Sequence, residues 1–276
     1  MSQFLSDKDF ELFSSLVYNE SGIHFTNTNR SILESRLKDR LKKLGLENCD
    51  TYYKQLKNDE DELKNLLDSV TTNLTRFFRN TGHFQAFQNY VLPKLLSYKR
   101  KIGENQFKLW SAGCATGEEP YSVAIAMKEH LPSDVEIQIL GSDLSLSSLM
   151  VAKEGYYPVA RCKDIPEAYL KKYFSEKREG YQIKPEIREL IKFDYHNLKF
   201  GSEVQSMDII FCRNVIIYFD QQAQKNAILK FWNSLKNYSF LFIGHSESLF
   251  GMNTQFKFIK TEWSTLYSKN LTNEEL

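Results

Sequence analysis

The loop around Gly113 is the first part of the chain whose residue types suggest chemistry. An apolar run leads into a loop with Gly113 and Gly117, and Pro120 stands where a helix can begin. Glycines there let the backbone approach a ligand closely at the carboxyl end of a strand. Because Glu118 and Glu119 would repel a pyrophosphate, the pattern favours a nucleoside ligand with few phosphates. An ordinary strand–helix turn is the alternative.

Asp143 follows the next apolar run, which ends near Leu140. A carboxylate at the end of a strand can accept both hydroxyl groups of a ribose, as the acidic residue of dinucleotide-binding folds does. Aspartate is also a good helix N-cap, and the two roles are compatible. We therefore expect Asp143 to hold a ribose.

A third polar group lies at the end of the apolar run before Asn214. The amide of Asn214 can turn to a ligand there, and the polar ends of Arg213 and Tyr218 can reach the same cleft. A solvated arginine and a core tyrosine are the alternative.

A fourth group consists of Asn73, Thr75 and Arg79, which are polar residues among apolar neighbours. It lies where the helical first part of the chain meets the later sheet. Such residues suit a lid that closes one wall of a cleft. Helix capping by Asn73 and Thr75, with Arg79 at the surface, is the alternative.

A predicted helix over residues 30–43 carries six basic residues against two acidic ones. Arg36, Arg40 and Lys43 are spaced at i, i+4 and i+7, so they share one helix face. We predict that this face docks an acidic partner helix. A merely solvated basic face is the alternative.

The composition excludes several classes of protein. With 276 residues, two domains are expected. The 36 Lys+Arg residues nearly balance the 35 Asp+Glu residues, so no global field attracts nucleic acid. The four cysteines form no CxxC pair and no histidine is spaced for a metal, which predicts reduced cytosolic thiols and no metal. No signal peptide is recognised and no apolar run could span a bilayer, so no membrane insertion is expected.

The elements that must position these groups follow two sequence patterns, one in each part of the chain. Apolar spacing predicts helices over residues 6–22, 28–44, 49–57 and 59–70. From residue 107 short apolar runs alternate with helical patterns, which is typical of an α/β protein with a parallel sheet. Residues 155–192 interrupt this alternation as a small antiparallel insertion, and residues 256–267 suggest a closing hairpin.

Four blocks together resemble the CheR family of chemotaxis receptor glutamate O-methyltransferases. They read TNLTRFFRN (72–80), WSAGCATGEEPYS (110–122), FCRNVIIYFD (211–220) and IGHSES (243–248), in the order of the family. The resemblance implies a Rossmann-like, class I S-adenosylmethionine-dependent methyltransferase sheet in residues 85–276, with an antiparallel β-subdomain inserted over 155–192. It also implies an all-helical receptor-docking domain over residues 1–84.

The resemblance further implies S-adenosylmethionine as cofactor and S-adenosylhomocysteine as product. Carried over by motif, the cofactor-binding residues would be Asn73, Thr75, Arg79, Gly113, Glu118, Asp143, Asn197, Leu198, Asn214 and Val215. Glu119 is the second choice beside Glu118. Arg213 and Tyr218 match positions on the substrate side. One basic residue before the first strand has four candidates, namely Lys94, Lys99, Arg100 and Lys101.

The implied reaction esterifies glutamates on the cytoplasmic helical region of bacterial chemoreceptors, at membrane receptor arrays. A glutamate carboxylate is anionic at pH 7, with a pKa of about 4.3, so it can attack a sulfonium methyl without a general base. Arg213 and Tyr218 would orient it. Whether the β-subdomain also binds the C-terminal tail of the receptors is left open.

Two other functions remain as alternatives. A nucleic-acid or small-molecule methyltransferase is one, although enzymes that methylate nucleic-acid amino groups carry an Asn/Asp-Pro-Pro-Tyr/Phe block where residues 212–215 read CRNV. A non-catalytic module that senses S-adenosylmethionine is the other. Turnover would separate this second alternative from an enzyme.

Overall fold

The amino-terminal domain is a bundle of four helices. The computed structural model describes residues 4–201 and 203–271. Within them the first helices are α1 (Asp7–Ser21), α2 (Arg30–Leu44), α3 (Cys49–Leu56) and α4 (Glu60–Val70). Their apolar stripes meet in one core around Phe13, Leu37 and Tyr52. The helical prediction for this region is confirmed.

The ends of α1 follow from local chemistry. The Ser6 hydroxyl accepts a hydrogen bond from the Asp9 amide at 3.1 Å, which caps the first turn. Gly22 adopts a left-handed φ of 78° and its amide donates to the Tyr18 carbonyl, which ends the helix. This stop directs the next residues towards the second domain.

The second domain is built on a twisted sheet. Its helices are α5 (Thr81–Ala86), α6 (Leu92–Lys101), α7 (Glu118–His130), α8 (Leu146–Glu154), α9 (Glu167–Tyr173), α10 (Pro185–Arg188) and α11 (Gln221–Ser234). The strands, in chain order, are β1 (Gln106–Ala112), β2 (Glu136–Asp143), β3 (Tyr156–Pro158), β4 (Phe174–Lys177), β5 (Gly180–Ile183), β6 (Ile191–Tyr195), β7 (Met207–Cys212), β8 (Leu235–Ile243), β9 (Lys257–Lys260) and β10 (Thr265–Lys269).

Seven strands form the main sheet in the order β6-β2-β1-β7-β8-β10-β9. The strands β6, β2, β1, β7 and β8 are parallel, and β10 is antiparallel to both β8 and β9. Strand order reverses at β1, whose neighbours are β2 and β7. Ligands of open α/β sheets bind outside the carboxyl ends of the strands at such a switch point. The predicted α/β fold and closing hairpin are confirmed.

The insertion between α8 and β6 forms its own small sheet. Its strands pair antiparallel in the order β3-β5-β4. This agrees with the predicted antiparallel subdomain. The main sheet resumes with β6 at Ile191, just inside the predicted range of 155–192.

Candidate active site

A cavity opens at the carboxyl ends of β1, β2 and β7, between the two domains. It collects eleven of the twelve residues predicted for the cofactor and the reaction: Asn73, Thr75, Arg79, Gly113, Asp143, Asn197, Leu198, Arg213, Asn214, Val215 and Tyr218. These residues come from five separate parts of the chain. The strand ends and the segment that joins the domains bring them to one place.

Gly113 is where the glycine loop must come closest to the opposite wall. Its φ is 80°, and an added Cβ would lie 2.3 Å from a methyl carbon of Val215. Only glycine accepts both the left-handed backbone and this contact. Glycine at this position therefore lets the loop pack directly against Val215 at the edge of the cavity.

Asp143 is the buried acid of the cavity. Its two oxygens accept the backbone amides of Ala115 at 2.7 Å and Ser145 at 2.8 Å. Burial raises the pKa of Asp143, while these hydrogen bonds act in the opposite direction. Ser145, not Asp143, caps α8, because its hydroxyl accepts the Ser148 amide. The carboxylate is thus held in place and keeps lone pairs for a ribose diol.

The two glutamates at the start of α7 point in different directions. Glu119 lines the cavity, whereas the fully buried Glu118 side chain points to Thr116 and Arg161. Glu118, predicted to meet the cofactor, is therefore absent from the cavity lining, whereas Glu119, the second choice, is part of it. The helical period explains this difference, because successive side chains are about 100° apart around the axis.

Arg213 is bound to protein groups on the cavity floor. Its Nε donates to Glu119 at 2.7 Å, and Glu119 also accepts the Ser111 hydroxyl at 2.7 Å. Its Nη1 donates to the Arg79 carbonyl at 2.7 Å and lies 3.3 Å from Nδ1 of His83. Burial and the neighbouring Arg213 charge lower the pKa of His83 to about 4, so the imidazole is neutral.

This network changes the role predicted for Arg213. Because Glu119 already balances its charge, Arg213 is not a free cation for a substrate carboxylate. Tyr218 lies on the same cavity wall, in the turn Ile216–Tyr218. Of the two residues predicted on the substrate side, Arg213 is thus held by protein groups, and Tyr218 is part of the cavity lining.

The segment after α4 closes the cavity on one side. The Asn73 amide donates to Ser145 at 3.2 Å, and Arg79 donates to the Leu74 carbonyl at 2.8 Å. Phe78 and Asn80 adopt positive φ values of 51° and 63°. Such conformations are costly away from glycine and occur where the surrounding structure holds them, often at functional sites.

Glu247 holds the loop that carries Asn214 and Tyr218. Its carboxylate accepts the amides of Asn214, Val215 and Ile217 at 3.0 to 3.1 Å, and that of Gly244 as well. A carboxylate suits this ring of donors because it has only acceptor sites. Its block, IGHSES, was recognised from the sequence, but this role was not predicted.

The helical domain supplies a wall that sequence reasoning missed. The added lining residues are Ser21, Ile23, His24, Phe25, Asn29 and Ile32. The end of α1 is fixed there, since Asn197 donates to the Glu20 carbonyl at 2.6 Å and the His24 amide donates to the Tyr218 carbonyl at 2.8 Å. No short-range pattern reveals contacts between segments so far apart.

The four basic residues that were candidates for a substrate-orienting residue do not line the cavity. Lys99 is buried against Asp208 at 2.7 Å, near the start of β7 and at the edge of the sheet opposite the cavity. Lys94, Lys99, Arg100 and Lys101 are absent from the residues described as lining the cavity. None of these four candidates is therefore placed as a substrate-orienting residue.

The predicted docking face of α2 is corrected at one position. Arg40 is 8% exposed, and its guanidinium pairs with Glu62 of α4 inside the helical domain. Arg36 is half-buried and Lys43 is exposed. Arg40 therefore belongs to the core, because α4 packs over its side of α2 and offers a buried carboxylate.

Two features are absent from residues 4–201 and 203–271. No group of three or more His, Cys, Asp or Glu side chains there is arranged to hold a metal ion. No helix in the same residues is long and apolar enough to cross a membrane.

The fold and the cavity are those of a class I S-adenosylmethionine-dependent methyltransferase. The chain belongs to the CheR family: residues 8–71 match the model "CheR methyltransferase, all-alpha domain" and residues 73–265 match "CheR methyltransferase, SAM binding domain". It is thus an enzyme whose cofactor is S-adenosylmethionine.

Relatives that match over most of their length agree with this assignment. The chain is 37% identical to the chemotaxis protein methyltransferase of Borreliella burgdorferi, over 86% of each chain. It is 34% identical to chemotaxis protein methyltransferase 2 of Vibrio cholerae, over 96% of this chain and 94% of the relative. It is also 32% identical to the chemotaxis protein methyltransferase of Listeria innocua, over 92% and 98%.

Proposed function

We propose that this enzyme methylates the side-chain carboxylates of specific glutamates on bacterial chemoreceptors. The observation that carries the proposal is the cavity itself, where Tyr218 and the buried Asp143 line one cleft at the sheet's switch point. The names of the relatives, which are chemotaxis protein methyltransferases, supply the substrate class. Glutamate as the modified residue follows from the family resemblance.

The residues fit the cofactor. Gly113 lets the glycine loop lie close to Val215 at the cavity, Asp143 is positioned for a ribose diol, and Asn197 and Leu198 flank the place proposed for adenine. Asn73, Thr75 and Arg79 line the side proposed for the methionine part, with Glu119 in place of Glu118. Asn214 and Val215 lie beneath it on the loop held by Glu247.

The chemistry asks little of the protein beyond alignment. When bound, S-adenosylmethionine supplies an electrophilic methyl group. A glutamate carboxylate is already anionic at neutral pH, so the cavity needs to exclude water and direct one oxygen in line. We assign the Tyr218 hydroxyl to donate to the other oxygen, and Arg213 to position this wall through Glu119 and the Arg79 carbonyl.

The proposed partner is the cytoplasmic helical region of the receptors, and the enzyme would act in the cytoplasm at receptor arrays. On α2, Lys43 is exposed and Arg36 is half-buried, and we propose that these two, without Arg40, meet acidic residues near the target glutamate. Whether the β-subdomain also contacts the C-terminal tail of receptors is a separate proposal. Its antiparallel sheet has β4 as an edge strand that could pair with an extended peptide.

The experiment uses S-adenosylmethionine labelled on the methyl group and membranes that carry chemoreceptors. Mild alkali should release the label from the receptor as methanol, because carboxyl esters hydrolyse in base. Tyr218→Phe should lower kcat by about 10- to 100-fold and leave S-adenosylhomocysteine affinity unchanged. Cofactor binding without base-labile label would reject the glutamate assignment and favour a sensor or another substrate.

A further inference from the structure

Arg161 connects the inserted β-subdomain to the glycine loop. It lies in the turn Val159–Arg161, directly after β3. Its Nη2 donates to the Thr116 hydroxyl at 2.7 Å and lies 2.7 Å from Oε1 of Glu118. The Thr116 hydroxyl in turn donates to the other Glu118 oxygen at 2.7 Å. The three side chains form one closed cluster beneath the loop.

Tyr157 makes a second connection between the same two parts. Its ring is fully buried, and its hydroxyl donates to the Thr116 carbonyl at 2.6 Å. The ring packs edge-on against Phe77 at 4.9 Å, which ties the insertion to the segment that closes the cavity. An added Cβ on Gly117 would lie 3.0 Å from the Tyr157 oxygen, so the loop and the insertion are in tight contact.

The charge of Glu118 makes this contact specific. A fully buried carboxylate is costly unless it is paired, and Arg161 provides the charge while its side chain remains 34% exposed. Glu118 therefore depends on a residue contributed by the insertion. An insertion that served only as an outer surface would not need such a pair.

The cluster adjoins the cavity on both sides. Immediately before Thr116, the Ala115 amide holds Asp143 at 2.7 Å. Immediately after Glu118, Glu119 lines the cavity and pairs with Arg213. A shift of residues 116–118 would therefore move both of these groups.

We infer that the inserted β-subdomain positions the cofactor loop, with Arg161 and Tyr157 as positioning residues that act through Thr116 and Glu118. The inference rests on the proposed assignment of the cavity to S-adenosylmethionine. It makes the insertion part of the cofactor site, although neither positioning residue lines the cavity.

The test measures S-adenosylhomocysteine affinity by calorimetry on the full chain. Arg161→Met should weaken binding by about 10-fold, since small displacements of positioning groups have effects of this size or larger. Arg161→Lys should recover part of the loss, and Tyr157→Phe should weaken binding to a smaller extent. Arg178→Met is the matched control, because Arg178 is an exposed arginine in the turn between β4 and β5.

Two further readouts separate positioning from general support. Without cofactor, the Ala115 amide should exchange its hydrogen faster in Arg161→Met than in Arg178→Met. The KM for receptor should stay within about twofold of wild type, because the change acts at the cofactor side. Unchanged affinity in Arg161→Met, or an equal loss in Arg178→Met, would overturn the inference.

A folding defect would not hide the answer. Arg161→Met leaves Glu118 buried and unpaired, whereas the double variant Glu118→Gln/Arg161→Met removes that charge and should fold. It should still bind S-adenosylhomocysteine several-fold more weakly than wild type, and wild-type affinity would overturn the inference. Asp143→Asn tests the assignment of the cavity to S-adenosylmethionine, on which the inference rests. Unaffected binding in that variant would reject this assignment and the inference with it.

Discussion

A buried Arg–Glu pair in the helical domain and another in the catalytic domain have different surroundings. In the helical domain Arg40 pairs with Glu62 through Nε at 3.0 Å and through Nη2, and the Tyr52 hydroxyl completes the carboxylate at 2.7 Å. In the catalytic domain Arg213 gives only Nε to Glu119 and uses Nη1 for the Arg79 carbonyl. The first pair is enclosed in a core, and the second borders a cavity.

The difference shows what a buried ion pair is used for. Arg40 donates its hydrogen bonds to the carboxylate of Glu62. This pair joins α2 to α4 and contributes to the stability of one domain. Arg213 divides its donors among the glycine loop helix, the closing segment and His83 of α5. The second pair therefore sets the relative positions of elements around the site.

The largest effect is expected when the enclosed pair is broken. Arg40→Met should lower the free energy of unfolding by about 3 to 5 kcal/mol, because Glu62 would remain buried without a partner. Urea unfolding followed by circular dichroism measures this loss. Lys43→Met, on the exposed part of the same helix, should change stability by less than about 0.5 kcal/mol. Equal effects of the two variants would mean that Arg40 is not a core residue.

His83, which lies next to Arg213 of the cavity pair, should make the free energy of unfolding depend on pH. The pKa of His83 is about 4 in the folded chain and about 6.5 when unfolded, so the unfolded state binds more protons between these values. The free energy of unfolding is therefore not reduced by His83 above pH 6.5, and it decreases as the pH falls below that value. Between pH 7.5 and 4.5 this loss is about 2 to 3 kcal/mol.

The contribution of His83 is isolated by comparing variants. His83→Asn should flatten the dependence of unfolding free energy on pH in this window, whereas His130→Gln should preserve it, because His130 is exposed. Parallel curves for wild type and His83→Asn would show that His83 is not held neutral next to Arg213.

The smallest effect is expected outside both pairs, on the surface of α2. Arg36→Glu with Lys43→Glu should raise the KM for receptor by about 3- to 10-fold and leave kcat and stability nearly unchanged, because rim charges steer association. The effect should shrink as salt is added. A KM that does not move would remove α2 from the proposed docking surface and leave Arg40 as the only basic residue of the face with an assigned role.

Much of the site could be predicted because strand ends are readable in a sequence. The residues after β1, β2 and β7 had to meet at one edge of the sheet, so Gly113, Asp143 and Asn214 were predicted to lie together, and they do. The prediction for Arg40 was wrong because helical spacing identifies residues on one face but not the helix that covers that face. For a related reason the sequence favoured Glu118 over Glu119, because it does not show which side of α7 lines the cavity.

The sequence alone indicated the two domains, the family, the cofactor and eleven of the residues that line the cavity. The domains follow from local periodicity, whereas the family and the cofactor follow from the resemblance of four sequence blocks to the CheR family. Only the tertiary structure decided which charged groups pair: Arg40 with Glu62, Arg213 with Glu119, and Arg161 with Glu118. Such pairs join residues tens of positions apart, and burial, which makes pairing necessary, arises only when the elements pack.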